Sequence, residues 1–253
     1  MCRIIIILDK QKNQSDIVNK FLNQAYQIKF TPYLDNIRDF NYHQDGYGII
    51  FYQQNNISFY KSSLMFDQDN NFEFIKEKIK NSDILIGHIR ATKHHFSDDV
   101  CYNNTHPFWY EKNFFIHNGS VNPFEPNFLK MYVNKKYNIH IKGSTDSEIL
   151  FYILLTKYDI TKDFRKAWIN FFKLLKQLAS FKIIISANLV FLNNNIIYIS
   201  RFINNNEEPP SLYFDKFNHI ISSEPVTDNY KIIETNTSYL VEVSSKNIEK
   251  IRI

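Results

Sequence analysis

A layered α+β domain is the fold class predicted by this sequence of 253 residues. Strand-like segments stand at both ends of the chain and helical segments lie between them. Neither an internal repeat nor a Pro/Gly-rich linker divides it. The composition is 44% hydrophobic, 16% aromatic and 22% charged, which predicts a filled core rather than disorder. One domain over residues 2–253 is expected.

Residues 2–8 are almost wholly isoleucine and read as a buried strand. Residues 15–27 have amphipathic helical spacing, with Ser15 as the expected cap. After a polar stretch to Gln44, "GYGIIFY" (46–52) and "NISFYK" (56–61) read as two strands joined by a polar turn. "FEFIKEKIKN" (72–81) has helical periodicity, and "ILIGHIRA" (84–91) returns to strand character. Residues 92–109 are polar and irregular, and a loop of that length inside a domain is usually functional. "NFFIH" (113–117) is a short strand leading into Asn118 and Gly119. Helices are expected over 124–132, 146–158 and 164–179, and strands over 182–192, 195–202, 219–223 and 238–243. The "NNN" runs at 193–195 and 204–206 read as hairpin tips and loops, since Asn, Ile, Lys and Tyr are over-used throughout, as in an AT-rich genome.

The formal charge of +4 is small, and the lysines are scattered among Asp and Glu, so nucleic-acid binding is not indicated. Cys2 and Cys101 are the only cysteines, too few for the disulfide framework of a small secreted domain, although one bridge stays open. The run Ile4–Leu8 is cut off by Asp9 and Lys10, too early for a signal-peptide core or a membrane span. A cytoplasmic enzyme or binding protein is therefore expected.

Two features carry chemistry. If Met1 is removed, Cys2 bears a thiol and a free α-amine on one carbon, a nucleophile with its own base; a small buried hydrophobe at a strand end is the alternative. The chain also has only five glycines, gathered in "HQDGYG", "IGHIRAT", "HNG" and "KGSTDSE", each beside reactive polar residues. Glycine persists where φ is positive or two backbones approach closely. These stretches are expected to share a site, with ordinary turns and bulges as the alternative.

Cys2, "GHIRAT" (87–92), "NTHPF" (104–108), "HNG" (117–119) and "GSTDSE" (143–148) together resemble, in order and spacing, the glutaminase domain of class II glutamine amidotransferases, which are N-terminal-nucleophile hydrolases. "HQDGYG" (43–48), Arg201 after a strand and "SSEP" (222–225) are similar to the stand-alone branch of that family, which includes hydrolases of γ-glutamyl compounds from glutathione and ergothioneine pathways. The resemblance implies a four-layer αββα sandwich with two mostly antiparallel sheets between helices. It implies that Cys2 attacks a γ-glutamyl carbonyl to form a thioester, its α-amine relaying protons near a reference pKa of about 7.7–8.0. Asn118 and Gly119 would form the oxyanion hole, although Asn-Gly is also the strongest short hairpin signal. Arg90 would bind the substrate α-carboxylate with its planar fork. Asp146 would accept the α-ammonium, although Ser144, Thr145 and Asp146 are also good helix caps, with Glu148 close by.

In the family a threonine, often followed by glycine, stands slightly further beyond the arginine. "RATKHHF" is one residue short, with Lys93 near the expected threonine, so Thr92 is the substrate-binding candidate and the loop from Lys93 to Tyr102 the place for altered specificity. His88, His106 and His117 are expected to be hydrogen-bonded core or supporting residues. No cofactor is implied. No metal site is expected either, because His94 and His95 diverge in an extended loop with no completing ligand.

The implied activity is hydrolysis of a γ-glutamyl amide, of glutamine or of a γ-glutamyl peptide. A non-catalytic relic that binds such a ligand or a partner protein is the rival, and an ammonia-donating subunit of a two-protein assembly is a further variant. Partner protein and homo-oligomer are both left open, with no nucleic acid and no membrane.

Overall fold

The computed structural model describes residues 2–26, 45–54, 56–92 and 99–253. Its first strand, β1 (Arg3–Ile7), is buried at every position. A strand covered on both faces reads as a continuous apolar run rather than an alternating one, which explains the isoleucines. Ile5 and Ile7 pack with Ile17, Val18, Phe21 and Leu22 of helix α1 (Gln14–Asn23) and with Ile75 and Ile79 of α2 (Phe72–Asn81). Ile4 and Ile6 point the other way, toward a second sheet. Each such buried side chain contributes roughly 1.5–3 kcal/mol.

The sheet that holds β1 also contains β2 (Tyr47–Gln53), β3 (Asn56–Ser62), β4 (Ile84–Ile89), β9 (Tyr213–Asp215), β10 (Ile220–Ser222) and β11 (Lys231–Ile232), in the order β11-β9-β10-β1-β4-β2-β3. The facing sheet has the order β13-β12-β8-β7-β6-β5. Its strands are β5 (Phe108–Tyr110), β6 (Asn113–Asn122), β7 (Ile184–Asn193), β8 (Ile196–Ile203), β12 (Thr237–Glu242) and β13 (Ile248–Arg252). All pairings described are antiparallel.

Between the sheets, Ile4, Ile6, Ile50 and Ile86 meet Ile116, Val190 and Ile199. Outside the second sheet lie α5 (Asp146–Thr161) and α6 (Phe164–Gln177), whose Leu150, Ile153, Trp168 and Phe172 pack on Phe115, Leu189 and Phe191. The short helices α3 (Pro126–Lys130) and α4 (Lys135–Asn138) precede them. The layers are thus helix, sheet, sheet, helix, the expected αββα sandwich. Among the described residues no helix is long and apolar enough to cross a membrane.

Three expectations need correction. The cap of α1 is at Asn13 and makes no side-chain hydrogen bond, so Ser15 lies inside the helix. Asn118 and Gly119 are not a hairpin turn; they sit within β6, opposite Asn188 and Ala187 of β7. Arg201 lies inside β8, not after it. Its guanidinium is occupied by Pro209 O, Pro210 O, Ile233 O, Thr235 Oγ1 and Glu208, which makes it a tie for the loop 204–211.

Candidate active site

Cys2 is a half-buried free thiol at the start of β1. Its Sγ lies 3.4 Å from Ala91 N and 3.6 Å from Ala91 O, because the chain leaving β4 continues alongside the residue before Arg3. Cys101, also a free thiol, stands in the loop before β5.

Arg90 is 5% exposed, and its side chain makes one hydrogen bond, from Nη1 to Asp45 O at 3.4 Å. A guanidinium carries five N–H donors, and among the described residues no carboxylate pairs with this one. A buried, under-used fork of that kind suits a planar anion. Thr92 follows, and its N–H and hydroxyl both donate to Asp45 Oδ2, at 2.6 and 3.0 Å. Hydrogen bonds to a charged acceptor contribute about 1.5–3 kcal/mol each. Asp45 therefore holds both Arg90 and Thr92 in place. Sequence reasoning gave it no role, although it directly precedes Gly46, whose φ of 105° requires glycine. Lys93, His94, His95 and Asp98 lie outside the described residues.

On the other sheet, Asn118 is 1% exposed, and its Nδ2 donates to Ser223 Oγ at 3.3 Å. Ser223 Oγ also accepts from Ile4 N at 2.9 Å, which joins the Asn118 amide to the backbone two residues beyond Cys2. Gly119 is required by close approach: a Cβ there would lie 2.0 Å from Ser186 O and 2.8 Å from His117 Nε2. Val121 N–H donates to Asp146 Oδ2 at 2.9 Å, so it points away from β7. N–H directions alternate along a strand, so the Gly119 N–H points to that same edge, beyond the short reach of β5.

Asp146 is the first residue of α5, and Thr145 Oγ1 caps that helix by accepting from Glu148 N. The helix-cap reading of this segment therefore holds, with Thr145 as the capping residue. Asp146 Oδ1 accepts from the Ser147 N–H and hydroxyl. A carboxylate has about four acceptor positions, and this half-buried one retains capacity for a further donor. The "KGSTDSE" loop is itself fixed, since Glu148 accepts from Lys142 N and Gly143 N while Asn104 Oδ1 accepts from Ser144 N. "NTHPF" is thereby a brace. Lys61 completes it from β3, donating to Thr105 O at 2.8 Å with its pKa lowered by burial to about 8.

The structure thus gathers Cys2, Arg90 and Thr92 at the end of one sheet and Asn118, Gly119 and Asp146 along β6 and α5, with Ser223 joining the two groups. The histidines lie in the core behind them. His117 Nδ1 is 2.9 Å from Ser147 Oγ, as expected, but among the described residues both ring nitrogens of His88 and of His106 lack a hydrogen-bond partner. These two rings instead lie against each other, tilted by 45° with centroids 4.1 Å apart. Burial lowers all three pKa values, that of His88 to about 3, with the neighbouring Arg90 and His117 adding to the effect.

Neutral histidines held this way bind fewer protons folded than unfolded, so their contribution is complete above the unfolded pKa of about 6.5 and is lost as pH falls toward the folded value. Stability is expected to drop between pH 6.5 and 5.5, by up to about 1 kcal/mol per histidine. Urea midpoints across that interval check this, and a flat response would contradict it.

The family model for class II glutamine amidotransferases matches residues 18–199. The chain is 28% identical over 172 residues to the probable glutamine amidotransferase DUG3 of Saccharomyces cerevisiae, a match covering 63% of this chain and 46% of that protein. Its fold is similar to that of a glutamine aminotransferase class-II domain protein from Silicibacter pomeroyi, with a TM-score of 0.65, 17% identity and coverage of 100% of this chain and 99% of that one. It is also similar to the glutamine phosphoribosylpyrophosphate amidotransferase of B. subtilis, with a TM-score of 0.65, 14% identity and coverage of 100% of this chain and 49% of that one.

Proposed function

The chain belongs to the class II glutamine amidotransferases, and from that premise we propose that it hydrolyses the γ-glutamyl amide of glutamine or of a γ-glutamyl peptide through a thioester on Cys2. The observation that carries this reading is the pairing of two half-sites: a thiol against the backbone of Ala91, the residue after an under-used buried arginine, and an amide joined to the same strand by one serine.

With Met1 removed, the Cys2 α-amine takes the thiol proton as Sγ attacks the γ-carbonyl carbon. Asn118 Nδ2 and the Gly119 N–H bind the oxygen as it gains charge. The tetrahedral adduct collapses to a thioester, and the proton held by the amine leaves with ammonia or an amine product. Water, deprotonated by the same amine, then attacks the thioester and releases glutamate. Arg90 and Thr92 hold the α-carboxylate end of the substrate, and Asp146 its α-ammonium. The same geometry would serve a free hydrolase or a donor of ammonia to a partner.

Intact mass before and after treatment with a glutamine-analogue diazo-ketone tests the reading, together with free glutamate released from glutamine, glutathione and other γ-glutamyl peptides. We expect a chain lacking Met1 that gains one adduct at Cys2 and releases glutamate from at least one compound. A binding relic would show no selective adduct and no release.

A further inference from the structure

We propose that Ser223 is the positioning residue that keeps the nucleophile strand and the oxyanion amide in register, an inference that rests on the functional reading above. Cys2 and Asn118 belong to different sheets, and between the sheets the contacts are mostly apolar. Such contacts are non-directional and fix separation better than lateral offset. Catalytic groups need their geometry held within about 0.5 Å.

Ser223 supplies the directional link. Its Oγ accepts from Ile4 N at 2.9 Å and from Asn118 Nδ2 at 3.3 Å, and its own N–H donates to Ile4 O at 2.9 Å. One buried residue therefore holds the backbone of β1 on both its donor and acceptor sides while orienting a side chain of β6.

The Asn118 amide depends on this contact for its orientation. The terminal torsion of asparagine is broad, and Oδ1 is buried with no hydrogen-bond partner among the described residues to fix it. With one Nδ2 hydrogen directed at Ser223, the other is left for the substrate oxygen. Ser223 is itself held, since Ser211 Oγ donates to Ser223 O at 2.9 Å. The next residue, Glu224, pairs with buried Arg3, whose Nη1 donates to Cys2 O at 3.3 Å. The "SSEP" corner thus grips the strand at Arg3 and Ile4, directly after the nucleophile. Glu224 is a poor probe, because its removal strands a buried cation and endangers folding. Ser223 is the clean one.

Ser223→Ala and Ser223→Thr, made in the full chain, separate positioning from mere structure. For Ser223→Ala we expect kcat to fall by about 10²-fold with KM within about twofold, and amide exchange at Ile4, read by NMR, to accelerate. Ser223→Thr keeps the oxygen and should recover most of kcat and the Ile4 protection. Wild-type kcat in Ser223→Ala, a loss confined to KM, or unchanged Ile4 exchange would each overturn the proposal. Inactive wild-type protein would sink the functional reading and this inference with it, whereas active wild type with equally active Ser223→Ala would sink the inference alone.

Discussion

Cys2→Ala is expected to abolish glutamate release, by a factor on the order of 10⁴ or more, because the route through a covalent intermediate disappears. The fold should survive. Cys2 is half-buried, and the hydrogen bonds described for its sulfur are weak ones to the backbone of Ala91, so its loss amounts to about 1 kcal/mol or less. A thermal midpoint within a few degrees of wild type, measured beside the activity, separates chemistry from folding. Near-normal turnover in this variant would exclude the thioester.

Asn118→Ala should lower kcat by about 10²–10³-fold while KM changes little, since the donor acts on charge that develops only in the transition state. Asn118→Asp sharpens the comparison: it keeps the shape but removes the donor and brings a negative group toward the oxyanion. We expect it to be no more active than the alanine variant. If either substitution acted chiefly on KM, the amide would belong to ground-state binding.

The layered α+β class was readable because burial leaves a strong mark in sequence, whereas the four-layer αββα order came from the family resemblance. The isoleucines of β1 show it, and so does the amphipathic spacing of α6, where Ala167, Trp168, Phe171, Phe172, Leu174 and Leu175 are buried. Short strands leave almost no mark. β9 and β11 have three and two residues, and β13 buries only Ile251, so these three strands went unread although the edge strand β3 was recognised. The strand expected at 113–117 was too short, since Asn118-Gly119 favours a turn locally while pairing with β7 from Asn113 to Asn122 draws the dipeptide into a long strand. The six candidate site residues were named through a family resemblance; Asp45 and Ser223 were missed because their roles depend on hydrogen bonds across 47 and 105 or more positions of sequence.

The place of β1 in its sheet also bears on how the protein is made. The two neighbours of this strand are β4 and β10, and the second begins only at Ile220. A nascent chain that has not reached β10 leaves one edge of β1 unpaired and lacks the serine that aligns it. Completion of the candidate site is thus tied to synthesis of residues 220–223, and until then the aliphatic strand keeps an open edge, the kind of segment that early-acting chaperones shield.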